Sequence, residues 1–495
     1  MPARQYSTKT ILITMDGVDQ EKLCELAKYD RLPFFKQLLT DNSIYPARSI
    51  FPASEPVDML CGASSAMHGF YAEQQLKPDK YRFVNAHPSG QNVIPFTRYL
   101  GENGFKSLLI DVPHAELAGN TDGVTILNSQ SPILALTEAA GLQNVKNLLS
   151  HTLNSSDSQT PLTNQQQVSH ALATKVKFIK MALTEQTWDL AYIDLADSWY
   201  QNESSNELGH SSTTDSDVTQ QLYQSLDRAI AEITQQLSSH DNIMIVSRSN
   251  NDELPHQRFI EPVLRQLGLL KLNETVDSNI NESCLTEAAN SSLKHRLKGF
   301  LWPVRSRLNR LFTPSRILWE ETRAFQLPGD RYSYLRINLL GREQHGIVTP
   351  GVEYDGLLLG IAAELNDLRV EPGGERAIKN ISFPRRDMPG PYHDSLPDIA
   401  IEWNQDLTIH GLHSTSVCLS TDTNIDHSNE FNTSGFILVS GKNMQPIPQI
   451  ADIDFRSVAS TVLALFSLDQ PQAYQLPSLV KYEHAVSKPL QQVAS

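Results

Sequence analysis

Five short apolar runs set the architecture of the chain. Ile11–Met15 closes on Asp16-Gly17, and SLLIDV covers Ser107–Val112. WDLAYIDL covers Trp188–Leu195, NIMIVS covers Asn242–Ser247, and GFILVSG covers Gly435–Gly441. Runs this short, bounded by Gly, Pro or polar clusters, read as strands buried on both faces of a sheet. Elsewhere the apolar spacing becomes helical: from about Val168 to Glu185, over Val218–Leu237 with Leu222, Leu226, Ile230 and Ile233 on one face, and over Arg456–Phe466. Strands alternating with helices predict an α/β fold with a central, mostly parallel sheet and helices on both faces. The Ser-, Thr-, Asn- and Gln-rich stretch 150–166 predicts a surface loop.

At 495 residues the chain exceeds one ordinary core, but it suits a single elaborated α/β domain spanning 1–495. Within it, residues 270–330 are expected to form a basic helical insertion or cap. Its KHRLKGFLWPVRSRLNRLF run carries Lys and Arg with no acid, beside Trp302 and Phe312. We read this run as a solvated helical segment around Pro303 rather than a membrane-binding one, because the net charge of −15 works against anionic lipid. The same charge argues against a general nucleic-acid binder, while leaving room for a small anionic substrate at a locally positive site. Cys24, Cys61, Cys284 and Cys418 lack metal-knuckle or redox-pair spacing. They predict free, mostly buried thiols and a reducing compartment. No signal-like apolar stretch precedes the first strand, and no run of about 18 apolar residues occurs. The expectation is a cytoplasmic protein without stable membrane insertion.

The chemistry concentrates in SIFPASEPVDMLCGASSAMHGF, Ser49 to Phe70, read together with Asp16. A buried strand ending in Asp-Gly projects a carboxylate at the carboxyl edge of the sheet, where ligands bind in open α/β folds. Taken alone, Asp-Gly is also a common turn after a strand. Downstream lie Leu32-Pro33 with Leu38, and Gly62 with His68-Gly69. Together these segments resemble the alkaline phosphatase superfamily, in its type I phosphodiesterase/nucleotide pyrophosphatase branch. Further matches run through Trp319–Phe325, Arg336–Glu343, Tyr392 and Leu396–Ala400, so the resemblance spans about residues 10–480. It implies an alkaline-phosphatase-like fold and a phosphoric-ester hydrolase that works with two metal ions held by three Asp and three His.

By motif position the resemblance places the metal carboxylates at Asp16 and Asp197. Four of the family's six ligand positions fall on Gln201, Arg248, Ser249 and Phe431. His210 and His427, in nearby polar loops, are candidate replacement ligands. The nucleophile segment is two residues shorter than the family's. Anchored on Pro52 the nucleophile position is Glu55, and anchored on Pro56 it is Ser54. Two carboxylates suit one harder ion such as magnesium, or a single zinc, rather than a two-zinc centre. Arg248 replaces a ligand beside the phosphoryl site. It either grips a substrate anion with paired hydrogen bonds or closes a salt bridge with Asp16 or Asp197. Arg336 and Arg342 are expected to be structural ion-pair partners.

Three functions remain open at this stage. One is a hydrolase of phosphate or sulfate esters with an altered metal centre. Another is a pseudoenzyme or anion-binding protein on the same fold. The last is a metal-free tailoring enzyme using the old pocket, with Glu55, Asp16 or His210 as acid or base.

Overall fold

The computed structural model describes residues 8–129, 164–196, 215–249, 255–273, 316–447 and 453–482, apart from 42, 78–79, 120, 330, 405–406, 408, 421–434 and 443. Its centre is a seven-stranded sheet. The strands are β1 (Thr10–Asp16), β2 (Ser43–Ala47), β3 (Ser107–Ile110), β4 (Val124–Leu127), β5 (Leu190–Asp194), β6 (Asn242–Arg248) and β7 (Gly435–Ser440). In space they run β2-β7-β6-β1-β5-β3-β4. The row from β6 through β1, β5 and β3 to β4 is parallel. β7 pairs antiparallel with both β6 and β2. The five apolar runs of the sequence are five of these strands. β2 carries Pro46, which a strand at the sheet's edge tolerates because a missing N–H costs nothing on the unpaired side.

The alternation within β1 shows why helices cover both faces. Ile11, Ile13 and Met15 join one core cluster with Leu23, Phe35, Ile179 and Ile230, from helices Gln20–Lys28, Pro33–Asp41, Asn164–Glu185 and Asp215–Thr234. Leu12 joins another with Leu60, Phe96 and Val462, from helices Glu55–Cys61, Phe96–Glu102 and Ser457–Leu465. β1 is mainly apolar on both faces because each face needs its own half of the residues. Residues 164–166, expected in the polar loop, instead open the helix Asn164–Glu185, and the remainder of that loop lies outside the described residues.

A second core packs around an antiparallel four-stranded sheet of Ala324–Leu327, Ser333–Ile337, Ile378–Ser382 and Ile399–Trp403, with helix Val352–Asn366 against it. A buried charge network braces it. Arg336 Nε donates to Glu343 at 2.6 Å, and Arg342 Nη2 donates to Asp398 at 2.7 Å. Burial opposes ionisation of Asp398, but Arg342 outweighs it and holds the carboxyl below the usual range. Both arginines are therefore structural, as expected. The basic run 291–312 falls outside the described residues. Among the three described cysteines only Cys61 is buried, and Cys418 is exposed, so the expectation of mostly buried thiols is not met. Among the described residues no helix is long and apolar enough to cross a membrane.

Candidate active site

Three adjacent parallel strands, β5, β1 and β6, end in Asp194, Asp16 and Arg248. Parallel strands in register deliver their last side chains to one edge, and Asp16 lies directly across the ladder from Arg248. Gly17 follows with φ of +67°, a left-handed conformation that glycine adopts without strain, and its N–H donates to the Arg248 carbonyl at 3.1 Å. The Asp-Gly sequence thus turns the chain away at once and leaves the carboxylate at the edge.

Arg248 lies between the two acids. Its Nε is 2.5 Å from Asp16 Oδ1, and its Nη2 is 3.0 Å from Asp194 Oδ2. The second contact is an ion pair without hydrogen-bond alignment, since Asp194 Oδ2 has no hydrogen-bond partner. Asp194 Oδ1 accepts from Ala196 N at 2.7 Å. Burial alone would lower the Arg248 pKa. Asp16 and then Asp194 overcome this and raise it, so the guanidinium stays charged. The side chains of Arg248 and Asp194 are 6% and 3% exposed, whereas Asp16 is 32% exposed and forms the open side of the cluster. Arg248 Nη1 is buried with no hydrogen-bond partner.

Ser54 and Glu55 stand where a 3-10 turn, Pro52–Ser54, passes into helix Glu55–Cys61. Gly62 ends that helix with φ of +59°, and a Cβ there would lie 2.8 Å from the Tyr474 ring, so the tight return toward His68 requires glycine. Glu55 is fully buried, and its Oε2 accepts from Ser249 N at 3.0 Å. Its Oε1 has no partner. Burial pushes its pKa up to about 8, against the lowering effects of Ser249 and Arg248, so Glu55 is largely protonated at neutral pH. The Ser54 hydroxyl points elsewhere, to Phe51 O at 2.9 Å and Asp58 Oδ2 at 2.8 Å. His68 Nδ1 accepts from Phe70 N, so Nε2 carries the proton toward Asp58 Oδ1 at 2.7 Å. Ser54, Asp58 and His68 form a buried polar chain beside the arginine cluster.

Of the residues expected from sequence, Asp16 and Arg248 meet, Glu55 is tied to the cluster through Ser249, and Ser54 belongs to the neighbouring chain. Asp197, His210, His427, Gln201 and Phe431 lie outside the described residues. Sequence reasoning passed over Asp194 in favour of Asp197, although Asp194 ends the apolar run and faces Arg248. It also missed Asp58 and its partner role for His68. Asp58 lies on helix Glu55–Cys61 and His68 ends the separate helix Ser65–His68, so no helical spacing marks the pair. Among the described residues, no group of three or more His, Cys, Asp or Glu is placed to hold a metal ion.

A mostly parallel sheet with helices on both faces and acids at its carboxyl edge fits the alkaline-phosphatase-like fold that the sequence resemblance implies. The chain belongs to the type I phosphodiesterase/nucleotide pyrophosphatase family, whose model matches residues 10–299. Among solved structures it is similar to phosphonoacetate hydrolase from Sinorhizobium meliloti 1021, determined with phosphonoformate and with phosphonoacetate. That match has a TM-score of 0.50 and 12% identity, and covers 92% of this chain and 94% of the other. Murine ectonucleotide pyrophosphatase/phosphodiesterase 5, determined with AMP, matches at a TM-score of 0.44 and 10% identity, covering 94% and 96% of the two chains. No curated protein matches the sequence.

Proposed function

We propose that this chain is a phosphoric-ester hydrolase of its family with an altered centre, in which Arg248 supplies fixed positive charge for a small phosphorylated substrate. The observation that carries this reading is the guanidinium between Asp16 and Asp194, with Nη1 left over. The described residues do not fit a pair of divalent ions. Both carboxylates already face Arg248. At an effective dielectric of about 20, unit charges 4 Å apart repel by about 4 kcal/mol, and a dication beside the guanidinium by about twice that. Asp16, with its open side, is the residue that would hold a single hard cation of the magnesium type.

In this arrangement Arg248 Nη1 donates to a phosphoryl oxygen. Glu55, protonated at neutral pH, gives its proton to a leaving oxygen. Ser54 is the nucleophile. Its oxygen bonds phosphorus as Asp58 takes its hydroxyl proton and the ester oxygen leaves with the proton from Glu55. Water then hydrolyses the phosphoserine, and His68 holds Asp58 in place. One observation favours a second reading, that of an anion-binding protein without turnover. Ser54 and Glu55 are both fully buried, and the Ser54 hydroxyl is already engaged.

The test combines hydrolysis of bis(para-nitrophenyl) phosphate, with and without chelator, and calorimetric titration with AMP. Turnover that is lost in an Arg248→Met variant shown by its melting curve to be folded supports the hydrolase. Binding of AMP without turnover selects the second reading. Turnover that is indifferent to Arg248→Met in a folded variant overturns the role given to the arginine.

A further inference from the structure

Helix Val352–Asn366, which packs against the antiparallel sheet, has one face uncovered. Tyr354, Leu358, Ile361, Ala362 and Leu365 are buried. Val352, Gly356, Leu359, Gly360 and Ala363 form an exposed stripe at helical spacing. Val352 is 92% exposed and Leu359 56% exposed. A helix apolar on both faces is normally buried, because water on one face leaves that apolar surface uncompensated. Beside the stripe runs a groove of about 630 Å³, walled by Leu267, Leu269, Leu357 and Ile361 together with Arg323 and Glu364.

Shape and charge along this face fit a second copy of the chain. Gly356 and Gly360 lie one turn apart on the stripe, and a Cβ added at either would meet open space, so another helix can approach the backbone closely there. The charges stand at opposite ends of the helix. Glu364 lies in the last turn, and its Oε2 is buried with no hydrogen-bond partner. A carboxylate there faces the negative end of the helix dipole, so a cation from outside is favoured beside it. Arg323 stands at the first turn, where its Nη2 donates to Glu353 Oε1 at 2.9 Å. Its guanidinium fork has donors left for a second carboxylate. Glu353 and Glu364 are about 16 Å apart along the helix axis, too far for one copy to bring Arg323 to Glu364.

We infer that this face joins two copies of the chain about a twofold axis between Gly356 and Gly360, with the two helices antiparallel. Such a contact is isologous, so each copy receives what it offers. Antiparallel pairing brings Glu364 of each copy to the first turn of the other helix, where Arg323 stands. Both charge pairs form at once, and Val352 and Leu359 leave water. The helix face alone, about 22 Å by 10 Å, supplies less than the roughly 800 Å² per partner of a standard interface. Leu340 and Ile347, exposed in the segment just before the helix, extend the apolar surface. No residue of the active site takes part, so the contact goes beyond the hydrolase reading and survives its failure.

The test is sedimentation velocity on the full chain from about 1 μM to about 100 μM, a range that covers moderate and weak dimers. Salt is held at about 0.15 M, where repulsion between two chains of net charge −15 is screened beyond about 8 Å. Wild type should pass from monomer to dimer across this range. Gly356→Leu/Gly360→Leu places both new side chains in open space on the monomer. It should therefore fold, as a melting curve checks, and weaken the dimer at least tenfold. Arg323→Glu and Glu364→Arg should each weaken the dimer at least tenfold, and the double swap should restore it. The charge swap decides the matter if the glycine variant does not fold. A wild type that stays monomeric overturns the inference and leaves the groove to a different protein. A dimer indifferent to the glycine variant, or a double swap no tighter than the single ones, overturns the twofold contact.

Discussion

The Nε of Arg248 lies 2.5 Å from Oδ1 of Asp16, across the last rung of two adjacent parallel strands. In the reading proposed above, this cation stands where the family resemblance places a metal-binding acid. Arg248 also faces Asp194, so its removal strands one wholly buried carboxylate and one half-open one.

Arg248→Met should accordingly destabilise the fold by about 3–5 kcal/mol, the usual penalty for breaking a buried pair from one side. The double variant Arg248→Met/Asp194→Asn should recover a large part of that loss, because it removes the stranded charge as well. Urea denaturation of the wild type, both single variants and the double variant measures the coupling. A single variant as stable as wild type would show that the pair contributes nothing to the fold.

Glu55 makes the stability depend on pH. Its pKa is about 8 in the folded chain against an ordinary value of 4.5. Between those values the folded state holds a proton that the unfolded state has released. Stability therefore falls as pH rises from about 4.5 through about 8, and then levels. Glu55→Gln keeps an oxygen for the Ser249 N–H and cannot ionise. It should remove this slope and stabilise the protein by roughly 2–4 kcal/mol at pH 8. Melting curves from pH 5 to 9 for both proteins give the answer, and parallel profiles would place the Glu55 titration elsewhere.

Ser54 and Asp58 should separate sharply on substitution. Ser54→Ala removes a hydroxyl with two acceptors and should cost about 1 kcal/mol. Asp58→Ala leaves the His68 Nε2–H unpartnered in a buried setting and the Ser54 hydroxyl with Phe51 O alone, and should cost about 2–3 kcal/mol. If Ser54 is the nucleophile, Ser54→Ala also abolishes hydrolysis while the melting temperature barely moves. Full hydrolysis in Ser54→Ala excludes Ser54 as the nucleophile.

Metal content is the most direct test of the altered centre. Protein purified without chelator and analysed by elemental mass spectrometry should carry fewer than two zinc ions per chain. Magnesium titration should show one weak site that disappears in Asp16→Asn. Two zinc ions per chain, retained through dialysis, would overturn the reading of Arg248 as the resident cation.

The fold was legible because its signals were local. Ile11–Met15 and Asn242–Ser247 are apolar on both faces and sharply bounded, and both became central strands. β2 was not legible, since Pro46 and the polar Ser43 break the strand pattern and only pairing with β7 makes it a strand. The site was legible where one motif position equals one strand end, as at Asp16 and Arg248. It was not legible where partners come from three-dimensional packing. No spacing announces that Asp194 faces Arg248, or that the Ser54 hydroxyl turns toward Asp58 rather than toward the cluster.

The rung joining Asp16 to Arg248 has one more consequence, which concerns strand alignment. β1 and β6 are apolar on both faces, so sliding one past the other by two residues would keep every aliphatic side chain on an equivalent face and cost the core little. The same slide would carry Arg248 past Asp16 and leave the buried guanidinium without that carboxylate. The ion pair thus acts as a key that admits one alignment of two otherwise permissive strands. A chain that had lost all catalysis would still need it to assemble the centre of its sheet correctly.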